Sequence, residues 1–133
     1  MKNIVTLAAR DLMSRNLETI EPKATLRQAA NRMSELHIHC LIVSSTDARK
    51  SIGIITCKDI VQLLGDEPPD ILDEIRVEDA MTSPAITLQE HMPVTDCILL
   101  MRMSGVRSVP VLRAHELVGL LSFTDILDAV ATP

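Results

Sequence analysis

One seven-residue pattern occurs twice in this chain, and the duplication constrains the fold more than any other feature. Residues 53–59 read Gly-Ile-Ile-Thr-Cys-Lys-Asp, and residues 119–125 read Gly-Leu-Leu-Ser-Phe-Thr-Asp. The apolar residues after each glycine predict a strand, and the apolar run that follows each aspartate predicts a helix. A hydroxyl residue with an acid three positions later is typical of a helix N-terminus. Each copy therefore predicts a strand that runs directly into a capped helix.

The similarity extends well beyond these two stretches. Asp11 and Met13 reappear 68 positions later as Asp79 and Met81, and the separation falls to 66 after a polar turn predicted at residues 44–50. Residue classes agree position by position between the copies. Such a shared register indicates an internal duplication.

The duplication sets the predicted domain organisation. Repeat 1 covers residues 8–65, a Pro-rich acidic linker covers 66–75, and repeat 2 covers 76–130. Each repeat reads β-α-β-β-α and has too little apolar surface to be stable alone. We therefore predict an α/β (α+β) fold in which two pseudo-twofold-related repeats form one module.

The composition excludes several classes of function. Phe123 is the only aromatic residue, and the net charge is −5 with no basic run, which argues against nucleic-acid binding. No apolar stretch approaches the ~20 residues that span a bilayer, so no membrane partner is predicted. Three scattered cysteines, Cys57 among them, are interpreted as buried thiols in a reducing compartment. Without an evident signal peptide, we expect a cytoplasmic protein.

Three residues close in sequence raise the question of a metal site. His37, His39 and Cys40 lie within four positions of one another. A zinc site needs a second pair of ligands with suitable spacing, and the sequence shows none. No metal site is predicted.

The two hydroxyl–acid pairs, Thr56 with Asp59 and Ser122 with Asp125, allow two interpretations. In the first, each pair only caps its helix: the hydroxyl accepts a hydrogen bond from a backbone N–H, and the acid lies in the first turn. In the second, the helix N-terminus also binds an anion such as phosphate, and the carboxylate accepts hydrogen bonds from ribose hydroxyls. A single pair would favour capping alone, and the occurrence of two in one register keeps both interpretations open.

The whole pattern resembles a known family. A pair of β-α-β-β-α units, each opened by Asp-x-Met and each ending in Gly-h-h-(Thr/Ser)-x-x-Asp (h, apolar), is similar to a tandem CBS-domain (cystathionine-β-synthase-domain) protein. The opening motifs are residues 11–13 and 79–81, and Val109-Pro110-Val111 matches the usual second strand. The resemblance covers about residues 8–130 and leaves no room for a catalytic domain, so a stand-alone pair is expected.

The resemblance implies a function. Such a module is not an enzyme and requires no cofactor. It binds an adenosine-containing ligand (AMP, ADP, ATP or S-adenosylmethionine) in clefts between the two repeats. It forms a homodimer and passes a change of conformation to a regulated protein, whose identity the sequence does not give.

The resemblance also implies a first ligand-binding site, built around Asp59. In it, Asp59 holds the ribose hydroxyls, Thr56 lies at the ribose or phosphate, and Arg107 is near the phosphates. The remaining residues are Ala85 and Ile86 against the adenine, and Lys58 at the corner where the predicted strand runs into the helix.

A second site is implied around Asp125 and Ser122. Its residues from the first repeat are Leu17, Glu18 and His39. His39 is only partly charged near neutral pH and Glu18 is acidic, so we predict that the first site is the better one for a phosphorylated nucleotide. The second is expected to be empty or to prefer a less anionic adenosyl ligand. The alternative function is a ligand-independent scaffold for dimerisation or protein docking, in which both pairs are only helix caps.

Overall fold

The computed structural model describes residues 3–44 and 51–131. They fall into two compact units: the continuous unit is Glu18–Ala85, and the split unit combines the chain up to Leu17 with the chain from Ile86 onward. The strands are β1 (Thr19–Ile20), β2 (Cys40–Val43), β3 (Gly53–Thr56), β4 (Leu88–Gln89), β5 (Ser108–Arg113) and β6 (Glu116–Ser122). The helices are α1 (Ala9–Leu12), α2 (Leu26–Leu36), α3 (Cys57–Leu64), α4 (Val77–Ala80), α5 (Val94–Ser104) and α6 (Phe123–Val130), with 3₁₀ helices at Ile4–Thr6 and Pro69–Asp73.

The continuous unit is built on a three-stranded sheet in the order β1-β2-β3. β1 is parallel to β2, and β3 is antiparallel to it. Every residue of the central strand β2 is buried, as its run of β-branched and apolar residues favours. One face of α2, formed by Leu26, Ala29 and Met33, packs into the same core.

The split unit repeats this arrangement in the order β4-β5-β6. Pro110 lies in the central strand β5, where it removes one donor from the ladder. The sheet accommodates the proline because β4 is short: it pairs only with Val111 and Leu112, so Pro110 faces a partner only in β6. The β5–β6 register shifts between Val111 and Leu112, directly after the proline.

The segment that opens repeat 1 belongs to the split unit, which carries the sheet of repeat 2. Met13 packs so closely on Gly119 that a Cβ atom added to this glycine would be 2.5 Å from the methionine sulfur. Ser14 and Leu120 exchange two backbone hydrogen bonds, of 2.8 and 2.9 Å, which extends the β6 edge of the sheet. The glycine of the second motif is therefore required by the methionine of the first repeat.

The segment that opens repeat 2 is exchanged in the same way and belongs to the continuous unit. Met81 packs on Gly53, where an added Cβ atom would be 2.8 Å from its sulfur. Thr82 and Ile54 exchange backbone hydrogen bonds of 2.9 and 3.0 Å. The boundaries of the compact units therefore differ from those of the sequence repeats, because each opening segment packs in the unit that carries the sheet of the other repeat.

The predicted order β-α-β-β-α is confirmed in both units, as β1-α2-β2-β3-α3 and as β4-α5-β5-β6-α6. The mixed α+β fold class is likewise confirmed. The predicted linker contains the 3₁₀ helix Pro69–Asp73, with Leu72 buried in the core of the continuous unit. Of the predicted turn at 44–50, residues 45–50 lie outside the described residues.

The expectation that Cys57 is buried is wrong. Cys40 and Cys97 are buried, but Cys57 is exposed. It is the first residue of α3, where the chain leaves the sheet, and the equivalent residue Phe123 at the start of α6 is also exposed, by 45%. The apolar neighbours of Cys57 in sequence belong to the strand before it and to the inner face of the helix after it.

In the described part of the chain, no helix has the length and apolar character that would let it cross a membrane. The longest helices, α2 and α5, have 11 residues each.

Candidate functional site

The first hydroxyl–acid pair lies where β3 ends and α3 begins. The Thr56 backbone N–H donates to Asp59 Oδ2 at 2.9 Å, and the Thr56 hydroxyl is 2.9 Å from the same oxygen. The Asp59 backbone N–H donates to Thr56 Oγ1 at 3.2 Å. Both residues are half-buried. The pair forms a capping box in which each side chain accepts the backbone donor of the other residue.

The second pair lies where β6 ends and α6 begins, and it has the same geometry. Asp125 Oδ2 accepts from the Ser122 backbone N–H at 2.9 Å and from the Ser122 hydroxyl at 3.0 Å. The Asp125 backbone N–H donates to Ser122 Oγ at 3.3 Å. The predicted strand-to-helix corners are therefore confirmed in both units.

Capping uses only one oxygen of each carboxylate. Within residues 3–44 and 51–131, the Oδ1 atoms of Asp59 and Asp125 accept no hydrogen bond, whereas Oδ2 accepts two. A carboxylate oxygen can accept from hydroxyl groups, so each aspartate keeps a free acceptor while its other oxygen fixes the orientation of the group. The corner can therefore receive a diol without losing its cap.

A third capping box, at the start of α2, shows what capping alone requires. There Gln28 Oε1 accepts from the Thr25 backbone N–H at 2.8 Å, and Thr25 Oγ1 accepts from the Gln28 backbone N–H at 3.2 Å. An amide oxygen thus performs the same capping function as the carboxylates of Asp59 and Asp125. The negative charge at those two positions exceeds what a cap needs.

His39 and Arg107 occupy equivalent positions in the two repeats, and a backbone hydrogen bond connects each of them to the first residue of a helix at a strand-to-helix corner. The His39 carbonyl accepts from the Cys57 N–H at 2.8 Å, and the Arg107 carbonyl accepts from the Phe123 N–H at 3.0 Å. Both side chains are exposed. The sequence did not reveal these links, because a backbone hydrogen bond does not depend on the identity of the side chain.

The structure thus brings His39 to the corner of Thr56 and Asp59 in the continuous unit, and Arg107 to that of Ser122 and Asp125 in the split unit. The sequence-based sites group these residues in the opposite way, Asp59 with Arg107 and Asp125 with His39. That crossed grouping remains a prediction. Among the described residues, no carboxylate forms an ion pair with Arg107, so its guanidinium is available to an anion.

The remaining predicted site residues differ in exposure. Lys58 is exposed beside Asp59, and Leu17 is half-buried. Ala85 is half-buried, and its N–H donates to the Ile52 carbonyl at 2.8 Å. Ile86 follows it with 38% of its surface exposed, which suits an apolar contact with a ring.

Glu18 has a partner that the sequence analysis missed. Arg32 Nη2 donates to Glu18 Oε2 at 2.7 Å, and the two side chains are 48% and 26% exposed. The two residues are 14 positions apart, with Glu18 just before β1 and Arg32 in α2, so no helical or strand spacing links them. The acidic charge expected at position 18 is therefore paired.

Other reactive groups lie outside the corners. Burial raises the pKa of the Cys97 thiol to about 11, and the neighbouring Asp96 carboxylate adds to this effect. His37 ends α2 in the left-handed conformation, with φ 55°, and is exposed. No group of three or more His, Cys, Asp or Glu residues suited to a metal ion occurs among the residues that the structure describes.

The fold and its duplicated corners define a tandem α+β module. The model of the CBS domain family matches this chain twice, at residues 9–66 and at residues 77–132. The chain therefore belongs to the CBS domain family, and it carries a tandem pair of these domains. The resemblance inferred from the sequence is confirmed.

Known proteins agree with this assignment. A CBS domain-containing protein of Dictyostelium discoideum is 33% identical over 129 residues, which cover 90% of this chain and 88% of the relative. Among other curated relatives, the chain spans only 62% and 65% of the length of two.

Solved structures share the fold. A hexameric CBS-CP12 protein from bloom-forming cyanobacteria has a TM-score of 0.84 at 30% identity, covering 91% of this chain and 66% of that one. A CBS domain pair solved in complex with 5′-methylthioadenosine and S-adenosyl-L-methionine has a TM-score of 0.77 at 24% identity, covering 92% and 94%.

Proposed function

We propose that this chain is a regulatory, non-catalytic module that binds an adenosyl ligand and passes the resulting change of conformation to a partner protein. The observation that carries this proposal is that Oδ1 of Asp59 and of Asp125 accepts no hydrogen bond from the residues that the structure describes. Each of these oxygens sits on a carboxylate that is already oriented by two hydrogen bonds through Oδ2. An oriented acceptor that no described residue occupies suits the two adjacent hydroxyls of a ribose.

Other groups of the chain suit the phosphate and the base of such a ligand. The first turn of a helix carries backbone N–H groups that favour negative charge, and Arg107 adds a guanidinium with no ion-pair partner in the described chain. The half-buried Ala85 and the exposed Ile86 offer apolar surface to a base. The related CBS domain pair that holds 5′-methylthioadenosine and S-adenosyl-L-methionine also supports this ligand class. AMP, ADP, ATP and S-adenosylmethionine are the candidates to test.

The variant Asp59→Asn separates ligand binding from capping. The asparagine amide oxygen can accept from the Thr56 N–H, just as Gln28 accepts from Thr25 in the cap of α2. The substitution keeps this hydrogen bond and removes only the charge of an acid in the first turn, so we expect the free energy of unfolding to fall by about 1 kcal/mol or less. Loss of a hydrogen bond to a charged group costs about 1.5–3 kcal/mol, so the affinity for AMP in isothermal titration should fall by a factor of roughly ten to a hundred.

The matched control is Thr25→Ala, which removes a cap with no acid. It should cost about 1 kcal/mol of stability, as loss of a threonine cap does elsewhere, and leave the AMP affinity unchanged. If wild type binds AMP and Asp59→Asn binds it equally well, Asp59 is not a ligand-binding residue. If Asp59→Asn unfolds easily, the carboxylate is needed for the cap itself.

A second candidate function, self-association without a ligand, is favoured by exposed apolar side chains on the split unit. Met103 is 76% exposed, Leu127 64% and Leu99 47%. A groove of about 400 Å³ also lies along α6; it is lined by Ile98, Phe123, Thr124, Ile126, Leu127 and Val130. A homodimer through this surface predicts that Leu127→Glu lowers the molar mass measured by light scattering. An unchanged mass would exclude the surface.

A further inference from the structure

The segments that open the two repeats carry opposite charges at equivalent positions. The Arg10 backbone N–H donates to the Glu90 carbonyl at 2.9 Å in the split unit, and the Glu78 backbone N–H donates to the Pro22 carbonyl at 3.0 Å in the continuous unit. The two hydrogen bonds are equivalent, because both their donors and their acceptors are separated by 68 positions. The split unit therefore carries an arginine where the continuous unit carries a glutamate.

Three arginines of the split unit gather around one carboxylate, and they are called the arginine cluster here: Arg10, Arg15 and Arg113. Arg113 Nε and Nη2 donate to Glu90 Oε1 and Oε2 at 2.7 and 3.2 Å. The hydrogen bond from Arg113 lowers the pKa of Glu90, and the positive charges of all three arginines add to this effect. The three side chains are exposed, and Arg10 and Arg15 form no ion pair among the described residues.

Two further acids lie near the arginine cluster. Glu116 is opposite Arg113 in the β5–β6 register, and Asp11 Oδ2 accepts from the Ala8 N–H at 2.8 Å as part of the cap of α1. Neither acid forms an ion pair within the part of the chain that the structure describes. The two unpaired guanidinium groups of the cluster are therefore available to carboxylates of another molecule.

The arginine cluster is a different surface from the corner of the same unit. Arg113 is the last residue of β5, whereas Ser122 of the corner pairs with Ser108, the first residue of β5. Five steps of ~3.3 Å along the strand put these two ends of the sheet roughly 16 Å apart. Binding at the cluster is consequently independent of the proposed ligand site.

The continuous unit carries an ordered acidic surface at residues 66–74, called the acidic segment. Leu72 of this segment is buried in the core, and Arg27 donates to the Pro69 carbonyl at 2.9 Å and to Asp73 Oδ1 at 3.1 Å. Four other acids of the segment are exposed and have no ion-pair partner among the described residues: Asp66, Glu67, Asp70 and Glu74. Because the segment is already ordered, its binding costs little conformational entropy.

We propose that the arginine cluster of one copy of this chain binds the acidic segment of a second copy. Guanidinium groups bind carboxylates bidentately, as Arg113 already does with Glu90. The contact joins two different surfaces: made in both directions it closes a pair of copies, and made in one direction it builds a ring or a filament. It needs neither the adenosyl ligand nor the apolar groove along α6.

The test measures the weight-average mass by sedimentation equilibrium, without ligand, at low and at high salt. Raising NaCl from about 20 mM to about 500 mM shortens the Debye length from roughly 20 Å to roughly 4 Å. We expect association at low salt and a dissociation constant at least tenfold higher at high salt. The variant Arg10→Glu/Arg15→Glu should lose this salt-sensitive association. The control Arg32→Glu/Arg102→Glu changes the net charge equally at exposed positions outside the cluster, and it should keep the association.

A charge exchange identifies the second surface. The variant Asp66→Arg/Glu67→Arg/Asp70→Arg should also lose the association, and a mixture of the two reversed proteins should regain it, because each supplies the charge that the other lacks. A mixture that stays dissociated would show that the cluster binds something other than the acidic segment and would overturn the proposal.

The wild-type chain tests the proposal even if a variant folds poorly. A mass that is the same at both salt concentrations, whether of one chain or of an oligomer, would refute the contact. The proposed function would stand in that case, because ligand binding is measured separately and does not require association.

Discussion

The close contact between Gly119 and Met13 makes Gly119→Ala the most informative change for the fold. A Cβ atom at position 119 would lie 2.5 Å from Met13 Sδ, 2.8 Å from Met13 Cγ and 3.0 Å from the Ser14 carbonyl oxygen. The methionine can change its rotamer, but Ser14 is held by two backbone hydrogen bonds to Leu120. The substitution therefore strains the point at which the opening segment of repeat 1 joins the split unit.

The magnitude follows from these distances. Overpacking of this kind costs about 1–3 kcal/mol, and the immobile carbonyl puts Gly119→Ala near the upper end. Replacing glycine by alanine also restricts the unfolded chain, which returns roughly 0.4–1 kcal/mol. We expect a net loss of about 2 kcal/mol. At Gly53 the added atom would lie 2.8 Å from Met81 Sδ, which can move, and 3.2 Å from Val43 Cβ, which must give way by a few tenths of an ångström, so Gly53→Ala should cost less than Gly119→Ala, about 1 kcal/mol.

Urea denaturation of the three proteins measures these differences, with Gly65→Ala as the control. An added Cβ atom at Gly65 has its nearest neighbour at 3.4 Å, an ordinary contact, so this variant should be as stable as wild type or slightly more stable. Combining Gly119→Ala with Met13→Ala should cost less than the sum of the single changes. Wild-type stability in Gly119→Ala would refute the packing of the opening segment of repeat 1 on β6. A larger loss in Gly53→Ala would refute the ranking that is based on the Ser14 carbonyl.

Other predictions concern single residues. His37 ends α2 and Gly105 ends α5 in the left-handed conformation, at φ 55° and φ 70°. Because glycine adopts this conformation without strain, His37→Gly should be neutral to stabilising, whereas Gly105→Ala should cost about 1 kcal/mol in thermal or urea unfolding. An equal effect of both changes in the same direction would contradict this. The Cys97 thiol has its pKa raised to about 11 in the folded state, so its contribution to stability is complete below pH 9 and should be lost as the pH rises from about 9 to 11. Cys97→Ala should lack that part of the decline. Parallel curves of unfolding free energy against pH for the two proteins would exclude the effect. In the native protein, a thiol reagent at pH 8 should label the exposed Cys57 well before the buried Cys97. Mass spectrometry of the labelled peptides measures the order, and earlier labelling of Cys97 would contradict the prediction.

The local features of the fold were predictable because they depend on neighbouring residues. The strand-to-helix corners at Thr56 and Ser122 follow from a hydroxyl and an acid three positions apart, and the cap of α2 follows from Thr25 and Gln28. The order of elements in each repeat follows from the apolar pattern. These signals act within one or two turns of chain, where propensity and capping decide the outcome.

The features that the sequence did not reveal depend on contacts between distant segments. The opening segments could equally well have packed on their own repeats, and only the contacts of Met13 with Gly119 and of Met81 with Gly53 show the exchange. The pairing of Glu18 with Arg32 is a contact of the same long-range kind. Cys57 was expected to be buried because the residues around it are apolar, but the position at the start of α3 decides its exposure.

The crossed ligand-binding sites are a different case. The corners themselves are confirmed, with matching hydrogen bonds at Asp59 and Asp125. The grouping of Arg107 with Asp59 and of His39 with Asp125 is a prediction from the resemblance to the family. The backbone hydrogen bonds of Arg107 and His39 instead join each residue to the corner of its own unit. Charge substitutions tested against each aspartate variant would decide the grouping: Arg107→Gln should weaken AMP binding in Asp125→Asn but have little effect in Asp59→Asn.

The most direct test of the central claim is a thermal unfolding measurement of the purified chain with AMP, ATP, S-adenosylmethionine and, as a non-adenine control, GMP. A ligand at 100 times its dissociation constant stabilises the folded state by ~2.7 kcal/mol. With an unfolding entropy of ~2.1 cal/mol/K per residue, this corresponds to a rise in Tm of about 10 °C for a chain of 133 residues. We expect such a rise with at least one adenosyl compound, none with GMP, and a rise of no more than about 5 °C at the same ligand concentration in the variant Asp59→Asn/Asp125→Asn, because a tenfold or greater loss of affinity leaves about 1.4 kcal/mol or less of stabilisation. An unchanged Tm with every adenosyl compound at millimolar concentration, measured on protein free of bound nucleotide, would contradict the proposed function.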